Sequence, residues 1–150
     1  MAGMTLCHPL TQVDSLYPQA RDTVVESEGQ AWPAKRVALA PGQWILFEAS
    51  GPDTTQVSRI TSNSPTFHTA SGLHAGTTID EVRATRDSFE VDFGEGSVAI
   101  RLVPEGIWFS LDDSASALVW QAFTDKADER AALRGRARLT DVTIAADCSP

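Results

Sequence analysis

Three carboxylates, Glu90, Asp92 and Asp112, are the residues of this chain whose types and spacing could best do chemistry. A pair of carboxyls can divide general-acid and general-base work, as in glycoside hydrolysis, when a cleft keeps one protonated and the other ionised. Glu90 and Asp92 stand two apart in SFEVDF, which puts both on one face of a strand. The same alternation with Phe89, Val91 and Phe93 also describes the solvated face of a half-buried sheet, and that is the leading reading. Asp112 adjoins Asp113 at a strand end, so the two need not share a face. A small carboxylate-dependent hydrolase is therefore the alternative.

His68 and His74 flank a turn, and with Asp80 they suggest a metal site. Ligand pairs are spaced by three or four on a helix and by two on a strand, so six residues across Gly72 fix no common face and no metal is expected. The two histidines remain minor binding candidates. His8 beside Cys7 belongs to the terminus. No Gly-x-Ser-x-Gly elbow occurs, GEGS lacks the lysine of a phosphate loop, and no calcium-loop pattern is present, so no cofactor is expected. Trp108 stands beside Phe109, and alternation sends one ring inward and the other outward. An exposed Trp108 would mark a contact for a protein or peptide, and a covered one would be packing.

The elements that must position these residues read as two runs of short strands. DTVVES, EGQAWPA, KRVALA, WILFEAS and TQVSRIT form the first run, with Pro41-Gly42 as a hairpin turn and Gly51-Pro52-Asp53 as a break. SFEVDF, SVAIRLV and IWFSLD form the second, punctuated by GEG and PEG. Between them Thr78 and Glu81 make a capping box for a short helix over residues 79–86. Residues 113–135 have helix propensity and Gly135 as a stop, with Leu118, Trp120, Phe123 and Leu133 as the apolar stripe and a break at Thr124-Asp125. ARLTDVTIAAD closes as a strand. The expectation is one α+β domain over residues 1–150, an antiparallel meandering sheet of seven or eight strands with one short capped helix and a C-terminal helical segment. Residues 1–20 are expected to be irregular or loosely ordered.

The net charge is −8, so the chain's field repels nucleic acid and anionic lipid, and nucleic acid is not an expected partner. Residues 1–75 contribute −2 and residues 76–150 contribute −6. No run reaches the ~20 apolar residues of a membrane span. Cys7 and Cys148 flank everything else, and a bridge between them would close nearly the whole chain and persist only in an oxidising compartment. Two free cytosolic thiols are the alternative. MAGMTLCHPL has neither a signal sequence nor a lipobox, which fits either a cytoplasmic protein or one whose leader has been removed. A periplasmic or secreted location joins this to the cysteines.

Thr69, Gly72, Leu73, Gly76, Thr77, Thr78, Glu81 and Val82 spell Thr-x-x-Gly-Leu-x-x-Gly-Thr-Thr-x-x-Glu-Val. This resembles a pattern of uncharacterised bacterial extracytoplasmic domains in which a strand meander follows. GTTIDEV is also similar to the helix start of BamE-like outer-membrane assembly lipoproteins, which likewise run from helix into three antiparallel strands. That likeness covers residues 72–112. The chain departs from it in lacking Leu-Leu-Gly after Val82 and in having a strand meander before the motif. The resemblance implies an envelope location and supplies no catalytic residue. A non-catalytic domain binding a protein or peptide is the leading expectation, with the hydrolase and a small-ligand carrier as alternatives.

Overall fold

The structure, a computed structural model, describes residues 5–27, 29–50, 54–85, 88–94, 97–103 and 105–148. It is an α+β fold whose eight antiparallel strands run in the order β1-β2-β3-β4-β8-β7-β6-β5. The chain divides into two compact units, residues 1–64 with 143–150, and residues 65–142. Among the described residues no helix is long and apolar enough to cross a membrane.

The first unit holds α1 (Gln12–Leu16), β1 (Arg21–Ser27), β2 (Gln30–Ala40), β3 (Gln43–Glu48) and β4 (Arg59–Ser62). Its strands form a meander because each is an alternating segment ended by turn chemistry, and Gly42 takes the positive φ of +75° that the β2–β3 turn needs. One face carries Val37, Ile45, Phe47 and Ile60 into the core. Helix α1 lies against that face, with Val13 fully buried and the Tyr17 ring 5.6 Å from Phe47. The segment expected to be irregular thus contributes core, and Asp14 from α1 reaches Lys35 on β2 at 2.9 Å. The expected break Gly51-Pro52-Asp53 lies outside the described residues.

β2 is one strand of eleven residues where the sequence suggested two. Pro33 explains both. Its carbonyl accepts from Ala49 at 3.0 Å, so the N–H it lacks would point to the same side, past the last β2–β3 pair, Ala34 with Glu48. The strand therefore loses no ladder bond there.

The second unit holds α2 (Ile79–Thr85), β5 (Glu90–Gly94), β6 (Ser97–Leu102), β7 (Ile107–Leu111), α3 (Asp113–Thr124) and α4 (Glu129–Ala132). The first residues of β8 (Leu139–Ala145) belong to it and the rest to the first unit. Val98, Ile100 and Leu102 of β6 meet Phe109 and Leu111 of β7, Ile79 and Val82 of α2, and Ala115 and Val119 of α3 in one core. Parts of the expected GEG and PEG turns and Arg86 lie outside the described residues.

Candidate functional site

Helix α3 begins at Asp112, whose side chain accepts from Ala115 N, and buries Ala115, Val119 and Ala122. These share one stripe at helical spacing. Trp120 and Phe123 fall on the flank of that stripe and Leu118 on the other. The structure therefore corrects the expected apolar stripe: Leu118, Trp120 and Phe123 are 36%, 37% and 51% exposed, and only Leu133 is buried. The sheet is approached by small side chains, and the large ones are left at the margin.

Trp120 and Phe123 are not isolated. Phe93 of β5 meets both, its ring centroid 5.0 Å from Trp120 and 4.9 Å from Phe123, and the two helix rings meet edge-to-face at 5.9 Å. Phe93 is half-buried and packs against the core on its inner side. β5 stands last in the strand order and pairs with β6. Three touching rings thus sit beside a strand whose outer edge has no ladder partner among the described residues.

The other face of β5 carries two of the carboxylates, and both are engaged. Glu90 pairs with Arg101, its cross-strand partner, and Asp92 accepts from Trp108 Nε1 at 2.9 Å. Trp108 is half-buried with its polar atom occupied, while Phe109 is fully buried on the opposite face. Next along the face, Ser110 donates to Asp141 at 2.8 Å. Burial pushes the Asp141 carboxyl up, against the hydrogen bonds from Ser110 and Thr140.

Asp112 does not join Glu90 and Asp92. Its two oxygens accept from the backbone N–H groups of Ala115 at 2.9 Å and Arg138 at 2.8 Å. The Arg138 and Ala115 amides hold its carboxyl below the usual range. An acid catalyst needs the opposite shift. The carboxyl that is raised, Asp141, was not singled out from the sequence, although its neighbour Val142 packs against the core and alternation then turns Asp141 to the other face of the strand.

The histidines are closer partners than their spacing suggested. Residues 68–74 fold into a tight turn, and His68 and His74 face each other across an antiparallel bridge. Thr69 N donates to the Leu73 carbonyl, and Gly72 turns the chain at φ +86°. Each imidazole uses its Nδ1 on the next carbonyl, His68 on Thr69 at 3.0 Å and His74 on Ala75 at 2.7 Å. Among the described residues no group of three His, Cys, Asp or Glu side chains is placed to hold a metal ion. The turn then delivers the chain to α2, where Thr78 N donates to Glu81 at 2.7 Å and Glu81 N to Thr78 Oγ1 at 3.3 Å. The Thr78 backbone bond holds the Glu81 carboxyl low. This stretch positions a helix.

Cys7 and Cys148 meet as a disulfide pair with Cα atoms 5.2 Å apart. The ring cluster at Phe93, Trp120 and Phe123 is the feature that sequence reasoning missed. Its only signal was two aromatics three apart on a helix that also offered an Ala-Val-Ala face.

No family model matches this chain, and no curated protein matches it in sequence. Among solved structures it is similar to the uncharacterized protein yfeY from Escherichia coli, with a TM-score of 0.64 and 14% identity over 95% of this chain and 93% of that one. At that identity the likeness is one of fold.

Proposed function

We propose that this chain is a non-catalytic binding domain that takes an extended segment of a partner protein along β5, with Phe93, Trp120 and Phe123 as the anchoring surface. The observation that carries the reading is the contact of three aromatic rings, two of them more than a third exposed, beside a strand edge with no ladder partner among the described residues. Aromatic surface left in water forgoes about 25 cal/mol per Å² of burial, and a partner recovers it. An added strand supplies main-chain hydrogen bonds to the edge, and its alternate side chains read the two faces.

Those faces define the segment. Val91 and Phe93 lead to the rings, while Glu90 and Asp92 lie on the other face. A complementary segment sets apolar residues toward the rings and basic residues on the other side, the basic ones answering the −6 carried by residues 76–150, since Glu90 and Asp92 already hold Arg101 and Trp108. The location that suits the reading is the bacterial envelope or the secreted space, since a Cys7–Cys148 bridge lasts in oxidising compartments.

The test is an amide chemical-shift titration with a synthetic peptide alternating valine and lysine, against one alternating serine and glutamate. Saturable shifts centred on β5 with the first peptide, weakened about tenfold or more in Trp120→Ser and Phe123→Ser, are expected. Equal response to both peptides, or binding that ignores the two substitutions, would sink the reading.

A further inference from the structure

β1 and β2 pair so that Arg21 and Arg36 are direct cross-strand partners. Side chains opposed in this way start about 5 Å apart, and like charges there repel. These are two of only four basic residues before residue 75, in a chain with 20 acidic and 12 basic groups. A purely structural arrangement would place a carboxylate between them.

The nearby carboxylates are committed elsewhere. On the opposite face Lys35, 8% exposed, binds Asp22 at 2.6 Å and Asp14 at 2.9 Å. On the face of Arg36, Glu48 is held by Arg59 at 3.4 Å. Among the described residues no carboxylate is paired with Arg21 or Arg36. The Arg36 guanidinium lies 5.1 Å from the centre of the Trp44 ring, a cation–π contact that uses no N–H hydrogen bond to a carboxylate.

Both arginines line a groove of about 540 Å³, with Gln19, Asp22, Thr23 and Ala38 completing its wall. Its size is that of a small-molecule site. Gln19 and Thr23 add neutral donors. Lys35 offsets the charge of Asp22, and Ala38 leaves open space one pleat beyond Arg36.

We propose that this groove binds a phosphoryl group, clamped between the guanidiniums of Arg21 and Arg36. A carboxylate offers two oxygens and satisfies one guanidinium fork. A phosphoryl group offers three oxygens and up to two charges, enough to accept from both forks at once. The site is independent of the strand-binding reading, since no residue of the second unit lines it. Its ligand is either a soluble phosphomonoester or a lipid whose headgroup is a phosphomonoester.

The experiment follows the arginine side-chain Nε–H signals during titration with inorganic phosphate, with sodium chloride at matched ionic strength as reference. Saturable shifts at Arg21 and Arg36 with phosphate alone are expected, weakened about tenfold or more in Arg21→Gln and in Arg36→Gln. Shifts that are linear, equal in chloride, or spread over all arginines would overturn the site, as would binding that persists in the double variant. Co-sedimentation with vesicles containing phosphatidic acid, a phosphomonoester headgroup, against phosphatidylcholine vesicles, then separates the sources. Sedimentation lost in the double variant assigns a headgroup, and phosphate binding without sedimentation assigns a soluble ester.

Discussion

Asp112 gathers two amide protons from different stretches of chain, Ala115 in its own helix and Arg138 ahead of β8. Its lowered carboxyl is a stability statement with a definite sign. The ionised form is favoured by folding, so its contribution is complete above the ordinary aspartate value of about 3.9 and is lost as pH falls through the lower folded value. Asp112→Ala should cost about 1–2 kcal/mol in urea unfolding at neutral pH, and the difference should shrink in acid. Asp141 runs the other way, because burial raises it and ionisation at neutral pH works against the fold. Asp141→Asn should be more stable than the parent at neutral pH, and the gain should vanish below the ordinary aspartate value. An unchanged pH profile in both variants would contradict these assignments. The sequence offered Asp112 as a reactive group because its second donor lies 26 residues away, and nothing local announces such a bond. Glu90 and Asp92 were placed on one face correctly, since the period of a strand is local information.

α3 shows where local information stops. Its start at Asp112 and the break near Thr124 are written in the residues, but which stripe faces the sheet depends on how closely the sheet approaches. Ala115, Val119 and Ala122 win that contact because small side chains permit a near approach, and hydrophobicity alone had favoured the larger rings. The helix end is equally informative. Ala127 N donates to Ala122 O at 2.8 Å and Lys126 N to Phe123 O at 3.2 Å, the paired bonds of a Schellman ending. Such an ending wants glycine at its left-handed position, yet Lys126 occupies it at φ +54°. Lys126→Gly should raise stability by about 0.5–1 kcal/mol, read as a higher melting temperature. A lower melting temperature would mean the lysine side chain has a role that the backbone does not reveal. α2, by contrast, was legible at its start, because the bonds of its capping box join residues only three apart.

At the scale of the molecule, the pairing of Cys7 with Cys148 was readable from placement, whereas the division into two units was not. One boundary falls at Ser64-Pro65, inside a turn-like stretch, but the other falls within β8, where no turn residue marks it. Opening the bridge frees a loop of 141 residues, which a chain-entropy model values at about 5 kcal/mol. Reductant, or Cys7→Ser, should therefore lower the melting temperature, and an unaffected melt would show that the bridge does not constrain the unfolded chain. The bridge also decides how the protein meets mechanical load. Tension applied outside Cys7 and Cys148 passes from sulfur to sulfur and leaves every strand between them slack. In single-molecule pulling the oxidised chain should give no unfolding step from that interval, while the reduced chain should release roughly 480 Å of contour length. The covalent bond, and not the sheet, is the tether.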